Sequence, residues 1–155
     1  MVSLSWTCWN NRTYLNSVKN WQESIRICGN ILLNKNIVKQ DYIDKVIEEY
    51  NNTNFIVVFG EEMIITHSTT ENGVNKIGLS MLVVKDGVVL PNGNKIHIVC
   101  MLAAVDKEKH LKSLIQLSDL ATNKSDINKI INATNNIVIF NIIKQYSDSG
   151  KNPKI

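Results

Sequence analysis

Three histidines are the clearest candidates for reactive side chains in this sequence. His67 follows a short apolar run and opens a polar loop that includes Ser68, Thr69 and Gly73. A neutral imidazole has one unprotonated ring nitrogen, which is nucleophilic near pH 7. Hydroxyls and backbone N–H groups in such a loop can hold an anion, and loops fixed by rigid strands often carry function. The sequence therefore allows His67 to act on an anionic group, with an ordinary surface histidine as the alternative.

The other two histidines stand in different settings. His110 follows Asp106, a good N-cap, and so falls in the first turn of a predicted helix. Unpaired N–H groups and partial positive charge at a helix start suit phosphate, with a solvated first-turn residue as the alternative. His97 lies inside a predicted strand and forms an H-x-x-C pattern with Cys100. Residues three apart on a strand point to opposite faces, so we expect a structural role for His97 and no shared metal.

Several other kinds of site are excluded by motif and composition. The sequence has no G-x-x-x-x-G-K-[ST] or G-x-G-x-x-G loop for nucleotides, no G-x-S-x-G nucleophile elbow and no carboxylate pair placed for glycoside chemistry. The cysteines Cys8, Cys28 and Cys100 fit no disulfide or zinc pattern, and we expect the latter two to be reduced and packed as small hydrophobes. The net charge of +3 is dispersed and includes only Arg12 and Arg26 as arginines, so no nucleic-acid partner is expected.

The length of 155 residues, with 44% hydrophobic and 20% charged residues, is typical of one globular domain with a real core. No stretch approaches the roughly 18 apolar residues of a membrane span. Residues 1–16 lack the basic start and apolar region of a signal peptide, so we expect a cytoplasmic protein. We also expect residues 1–17 to be irregular and residues 147–155 to form a flexible tail.

Two predicted helices, then four strands, then three helices surround the three histidines. Asn20 is the predicted N-cap of a first helix, with Glu23 reaching back in a capping box. Apolar spacing and turn signals predict the remaining elements. The predicted helices after the first cover 40–50, 107–121, 126–131 and 136–145, the strands 55–59, 63–66, 77–84 and 95–104, and the turns 86–87 and 91–93. This order predicts an α/β fold, a single layered domain with a mixed central β-sheet of about four to five strands flanked by helices.

Three stretches carry a joint pattern that is more specific than any one of them. The first is 20–26 with 32–33, the second is 66–68 with 71–74 and 78–80, and the third is 102–106 with 110–111. Together they resemble the mannitol/fructose-type (type 2) enzyme IIA domains of the bacterial phosphoenolpyruvate-dependent sugar phosphotransferase system, and within it the ascorbate-type branch. The likeness covers residues 18–146, which it implies to be an enzyme IIA-like phosphotransferase domain.

The resemblance implies a role for each site residue. His67 matches the histidine that accepts phosphate from the carrier protein HPr, and His110 matches a second histidine that lies against the first. Thr66, Ser68 and Thr69 are the phosphate-binding residues predicted beside them. The phosphate would pass to a cysteine of an enzyme IIB partner and then to a sugar, ascorbate or a related one, that enters through a membrane permease. Transfer through phosphohistidine requires no metal and no cofactor.

The sequence departs from the family pattern around His67. Thr66 stands where the family usually has proline, and Ser68-Thr69-Thr70 replaces the common Ala-Arg-Pro. Residues 48–51 contain no arginine, which the mannitol branch uses there, and Lys76 is a possible substitute. The departures leave open a regulatory relative that signals to a transcription or transport partner, and a binding module that has kept only the fold. The oligomeric state also stays open, with a homodimer as one option.

Overall fold

The computed structural model describes residues 12–53, 57–66, 73–103, 105, 107–133 and 135–147. Within these residues the chain forms five strands and five helices. The strands are β1 (Arg12–Leu15), β2 (Val58–Phe59), β3 (Met63–Thr66), β4 (Gly78–Val89) and β5 (Lys95–Ala103). The helices are α1 (Trp21–Asn34), α2 (Gln40–Thr53), α3 (Lys107–Ala121), α4 (Lys124–Ile131) and α5 (Asn136–Ser147).

A mixed sheet forms the centre of the fold, with its five strands in the order β1-β4-β5-β3-β2. β1 runs parallel to β4 and β3 runs parallel to β5, whereas the β4–β5 and β2–β3 pairs are antiparallel. The turn between β4 and β5 is closed by a hydrogen bond from the N–H of Gly93 to the carbonyl of Leu90, as the sequence predicts. The predicted α/β class with a mixed sheet of four to five strands is therefore confirmed.

Helices cover both faces of this sheet. α1 and α2 pack on one face through residues such as Ile25 and Ile43. α3, α4 and α5 pack on the other face through Leu117, Ile130 and Ile143. Neighbouring residues of β3 and β5 contribute to different cores, because successive strand side chains point to opposite faces. Both central strands are consequently buried on both sides, which holds their ends in fixed positions.

The start of α1 is fixed by side-chain caps. The Asn20 side chain accepts a hydrogen bond from the N–H of Glu23 at 2.8 Å, as predicted. The Glu23 carboxylate reaches back, but to the N–H of Lys19 at 3.0 Å, one residue before the N-cap. The Asn20 cap satisfies a donor that the helix start would leave unpaired, and such a cap contributes about 1 kcal/mol.

An edge strand near the N-terminus corrects the expectation that residues 1–17 are irregular. Arg12–Leu15 forms β1 and pairs with β4, while residues 1–11 lie outside the described part. Tyr14 packs against one core and Leu15 against the other, and the Tyr14 hydroxyl donates to the carbonyl of Ile131 at 2.8 Å. Four residues are too short to show a clear alternation, so packing with the distant α4 decides the conformation here.

The predicted turn at Asp86-Gly87 is wrong, because both residues lie within β4. The register of β4 against β5 shifts between Val83 and Val88, and the extra residues form an irregularity in the strand. A glycine inside a strand pattern often marks such a bulge rather than a turn. β4 therefore continues beyond the predicted end at residue 84 and forms a hairpin with β5.

The other predicted boundaries agree with the structure to within a few residues. α2 ends at Thr53 instead of residue 50, α4 begins at Lys124 after the N-cap Asn123 instead of at residue 126, and α5 ends at Ser147 instead of residue 145. Of the predicted strand 55–59, residues 57–59 are described, and Val58–Phe59 of these form the strand. α3 has the predicted bounds. No helix in these described ranges is long and apolar enough to span a membrane.

Cys28 and Cys100 are both buried and neither is in a disulfide, as the sequence predicts. The Cys28 thiol donates to the carbonyl of Val99 at 3.2 Å. Burial raises the pKa of the Cys28 thiol to about 12, although a hydrogen bond with Ser80 works in the opposite direction. The thiol consequently stays protonated at neutral pH and is a packing group, not a nucleophile.

Candidate active site

Two parallel strands end side by side where the predicted reactive segments begin. Thr66 of β3 pairs with Met101 of β5, so both strands run out at one edge of the sheet, here called the carboxyl edge. β3 ends at Thr66, directly before His67 in the chain, and β5 ends at Ala103, shortly before α3. In open α/β sheets ligands bind at the carboxyl ends of the strands. The segment that begins with His67 and the segment that leads to α3 therefore both start at the carboxyl edge.

α3 supplies the second predicted histidine. His110 is the fourth residue of this helix, so its backbone lies in the first turn, as predicted. The N–H groups of that turn and the helix dipole favour an anion there. The His110 side chain lies outside the described part of the structure, as do His67, Ser68, Thr69 and the predicted N-cap Asp106.

The Thr66 side chain holds the end of β3 against the neighbouring strand. It is fully buried, and its hydroxyl donates to the carbonyl of Cys100 at 3.0 Å. This hydrogen bond fixes the residue immediately before His67. The phosphate-binding role of Thr66 stays a prediction.

The far end of the loop that starts at His67 is also anchored. The carbonyl of Gly73 accepts from the N–H of Lys39 at 2.7 Å, and the N–H of Asn75 donates to the carbonyl of Ile37 at 2.8 Å. Between these bonds Val74 forms a β-bridge with residue 38. The connection between α1 and α2 therefore holds the segment by which the loop returns to the sheet.

Tyr42 of α2 touches both anchored regions. Its side chain is fully buried, and its hydroxyl donates to the carbonyl of Leu102 at 2.8 Å. Gly73 packs directly on Tyr42, since a Cβ added to this glycine would lie 2.9 Å from the Tyr42 Cβ. Gly73 has a φ of +82°, which also favours glycine at this position. Tyr42 thus links the end of β5 to the end of the loop.

His97 lies at the opposite edge of the same strands, here called the amino edge. Its Nδ1 is 2.6 Å from the Glu62 carboxylate, and both side chains are partly buried. The backbone N–H groups of His97 and Ile98 both donate to the carbonyl of Glu62. Within the described ranges no cluster of three or more His, Cys, Asp or Glu residues could hold a metal. These contacts agree with the structural role predicted for His97.

Comparison with known protein families adds to this geometry. The profile of the family described as "Phosphoenolpyruvate-dependent sugar phosphotransferase system, EIIA 2" matches residues 10–146. This chain belongs to that family. The resemblance found in the sequence is thereby confirmed, and as a member of the EIIA family the chain is a phosphotransferase component.

Curated relatives in the EIIA family fall into two named types. The mannitol-specific cryptic phosphotransferase enzyme IIA component of Escherichia coli (strain K12) is 26% identical over 132 residues, which are 84% of this chain and 90% of that relative. The ascorbate-specific PTS system EIIA component of Salmonella typhi is 22% identical over 125 residues, which are 78% and 81% of the two chains. The comparison does not favour the ascorbate-type branch over the mannitol type.

Solved structures agree with the EIIA fold. The solution structure of the E. coli mannitol-specific cryptic enzyme IIA has a TM-score of 0.80 and 25% identity, covering 93% of this chain and 99% of that one. A complex of E. coli enzyme IIAMTL with phosphorylated enzyme IIBMTL gives a TM-score of 0.76 at 19% identity, covering 86% and 94%. The latter match shows a shared fold.

One buried contact near the carboxyl edge of this EIIA chain is not evident from the sequence. The apolar spacing of α2 predicts Tyr42 as a core residue with Ile43, Val46 and Ile47, and all four are buried. The available signal was chemical, because a buried tyrosine hydroxyl usually finds a hydrogen-bond partner. Spacing alone could not identify that partner as Leu102, sixty residues away in the chain.

Proposed function

We propose that this chain is an enzyme IIA phosphocarrier that accepts a phosphoryl group from HPr on His67 and passes it to a cysteine of an enzyme IIB partner. The observation that carries the proposal is the parallel end of β3 and β5, with Thr66 opposite Met101, in a chain of the EIIA family. His67 follows one of these strands and His110 lies in the helix after the other. The partner assignment is supported by the E. coli complex of enzymes IIA and IIB.

The chemistry needs a nucleophile and stabilisation of charge on the transferred group. An unprotonated imidazole nitrogen of His67 attacks phosphorus, a P–N bond forms, and the bond to the donor atom on HPr breaks. The cysteine sulfur of IIB then attacks the same phosphorus, and the P–N bond breaks. A hydrogen bond from His110 and the N-terminus of α3 would stabilise the phosphoryl oxygens in both steps. Ser68, Thr69 and Lys76 would supply further donors in place of the missing arginine.

We propose that the transported solute is a small sugar derivative of the class that mannitol and ascorbate represent. The support is that curated relatives of both types match most of the chain, at 26% and 22% identity. The phosphate would reach the solute through IIB and a membrane permease. Purified IIB proteins of the two types, offered in parallel to the phosphorylated chain, would assign the type by which IIB gains phosphate faster.

The test of the acceptor is phosphorylation of the purified chain. We expect incubation with phosphoenolpyruvate, enzyme I and HPr to add one acid-labile phosphate, detected by intact mass before and after mild acid. His67→Ala should abolish the mass gain, because the nucleophilic nitrogen is gone. Acid-labile phosphate that persists at full level in His67→Ala would refute the assignment.

His97→Gln is the matched histidine control. His97 contacts Glu62 at the amino edge, so its replacement should leave the phosphate on His67. His110→Ala should slow the transfer and still allow it, because His110 is assigned to stabilising the phosphoryl group and not to accepting it. Complete loss of labelling in His97→Gln, with the fold intact by circular dichroism, would contradict the proposed site.

A regulatory function of the same phosphohistidine is the second candidate. It is favoured by the departures around His67, where Thr66 and Ser68 replace the usual Pro and Ala of the family pattern. The two candidates differ in the second transfer. A phosphorylated chain that gives up its phosphate to a IIB cysteine within seconds is a transport component, whereas one that retains it against both types of IIB is a regulator.

A further inference from the structure

We propose that Tyr42 is a positioning residue, which holds the two segments of the active site in register through its hydroxyl and its backbone. The inference rests on the proposed function, because it assigns His67 and His110 to the same site. Tyr42 carries this role through two contacts with backbone. It acts through Leu102, at the end of the strand that leads to α3, and through Gly73, at the end of the loop that begins with His67.

The hydroxyl contact fixes the end of β5. The last residue pair between β3 and β5 is Thr66 with Met101, so Leu102 lies beyond the pairing with β3 and is paired with Leu79 of β4. The Tyr42 hydroxyl donates to the carbonyl of Leu102 at 2.8 Å in a fully buried position. A buried carbonyl that loses its donor costs about 1–3 kcal/mol if it stays in place, or it moves toward another donor. Either response disturbs the backbone just before Ala103.

The backbone contact fixes the end of the loop. A Cβ on Gly73 would lie 2.9 Å from the Cβ of Tyr42 and 3.1 Å from its backbone nitrogen, so the glycine rests against the first turn of α2. The N–H of Tyr42 itself donates to the carbonyl of Lys39, whose own N–H donates to the carbonyl of Gly73. Tyr42 and its neighbours therefore join the loop end, the start of α2 and the end of β5 through direct contacts.

Such coupling matters for phosphoryl transfer because the catalysis depends mainly on position. Displacement of a reacting group by about 1 Å can cost up to roughly 100-fold in rate. A shift of the β5 end would move α3 and its first turn relative to the loop. We therefore expect loss of the Tyr42 hydroxyl to slow transfer beyond what its effect on folding explains.

Tyr14 offers a matched control within the same molecule. Its hydroxyl also donates to a backbone carbonyl, that of Ile131, at the same distance of 2.8 Å. That bond joins β1 to the end of α4, and neither element carries a predicted site residue. Tyr14→Phe and Tyr42→Phe consequently remove hydrogen bonds of the same type and length, a partly buried one away from the site segments and a buried one between them.

The experiment compares the two variants with the wild type in single-turnover transfer from phosphorylated HPr. We expect Tyr42→Phe to lower the rate constant at saturating HPr roughly 10- to 100-fold, with little change in the half-saturating HPr concentration. Tyr14→Phe should stay within about twofold, even if urea unfolding shows a similar loss of stability in both. Equal rates in the wild type and folded Tyr42→Phe would overturn the proposal.

A second readout does not need phosphorylation. The imidazole C–H signals of His67 and His110 in NMR spectra should shift in Tyr42→Phe and stay unchanged in Tyr14→Phe. If the wild type takes up no phosphate, the proposed function fails, and these signals alone decide the positioning role. If the wild type is labelled and the histidine signals of Tyr42→Phe match it, the positioning role fails while the function stands.

Asn75→Ala is the milder variant in case Tyr42→Phe does not fold. The Asn75 side chain is exposed and donates to the carbonyl of Asn36 at 3.0 Å, so its loss spares the core. It removes the side-chain contacts of Asn75 with Asn36 and leaves the backbone bonds of Gly73 and Asn75 in place, so we expect a small shift of the His67 signal with the His110 signal unchanged. A shift of neither signal in Asn75→Ala would refute the coupling of the loop end to the site.

Discussion

The amino and carboxyl edges of the β3–β5 pair use their polar groups in different ways. At the amino edge the polar side chains bind one another, because His97 contacts Glu62 and Lys124 contacts Glu61 at 2.9 Å. At the carboxyl edge the described side chains bind backbone, since Thr66 and Tyr42 both donate to carbonyls of β5. At the amino edge, polar side chains thus pair with each other. At the carboxyl edge, they fix the backbone just before the segments that carry His67 and His110.

The difference teaches that a histidine acquires its role from its surroundings and not from its type. His97 lies at an irregular point of β5 and is bound by a carboxylate. His67 comes directly after β3, and His110 lies in the first turn of α3, the helix that follows β5. Each edge also has a left-handed glycine packed against a helix, Gly60 on the end of α3 and Gly73 on Tyr42. These paired features allow the two edges to be perturbed in equivalent ways.

The largest effect is expected from Gly60→Ala at the amino edge. Gly60 has a φ of +64°, and a Cβ there would overlap the carbonyl oxygen of Ala121. Left-handed strain and the forced backbone shift together should lower the free energy of unfolding by about 3 kcal/mol or more. Urea denaturation measures this loss, and the folded fraction should still accept phosphate at the wild-type rate.

Gly93→Ala is the control that separates strain from overlap. Gly93 has a φ of +90° but no atom within 4 Å of an added Cβ. Left-handed backbone strain is therefore the cause of any loss of stability in this variant. We expect a loss of about 1 kcal/mol for this variant. Equal losses at the two glycines would show that the contact with Ala121 contributes nothing, and a slow transfer in folded Gly60→Ala would contradict the separation of the edges.

A smaller effect is expected from Thr66→Val at the carboxyl edge. Valine keeps the shape of the side chain but removes the donor to Cys100, so the free energy of unfolding should fall by about 1–2 kcal/mol. Because the hydroxyl is directed at the strand, one acid-labile phosphate should still be incorporated. Intact mass and urea denaturation measure the two quantities.

Thr66→Ser restores the hydroxyl and tests whether the hydrogen bond is responsible. It should recover the part of the stability that depends on the donor, apart from the loss of one buried methyl group. If Thr66→Val takes up no phosphate while it remains folded, the hydroxyl contacts the phosphoryl group after all, and the original prediction for Thr66 is correct.

The sequence predicts a helix correctly where the apolar periodicity and an N-cap residue indicate the same start. α1 is such a case, because the Asn20 cap and the apolar spacing of Trp21, Ile25 and Cys28 point to the same helix. Residues 86–87 are the opposite case, since Asp-Gly is a turn signal that pairing with β5 overrides. β1 was missed because its conformation depends on a partner far along the chain. Local sequence signals therefore predict the bounds of the helices more accurately than the ends of the strands.

The candidate site was predictable as a set of segments but not as an arrangement. The order of strands and helices implies that His67 and His110 follow elements of one sheet, whereas the parallel pairing of β3 with β5 is a long-range fact. Thr66 was assigned to phosphate because a hydroxyl beside a reactive histidine suggests a ligand contact. The structure adds that this hydroxyl is buried and bonded to β5, which no local pattern of the sequence indicates.

The smallest effect is expected from Glu62→Gln at the amino edge. The amide can still contact Nδ1 of His97, and both side chains are partly exposed to water, so the loss of stability should stay below about 1 kcal/mol. A double-mutant cycle with His97→Gln isolates the pair, and its coupling should be of the same size because the two atoms are 2.6 Å apart. Transfer rates should be unchanged throughout the cycle. A coupling near zero would show that the paired side chains do not stabilise the amino edge, whereas an altered transfer rate would show that the two edges are linked through β5.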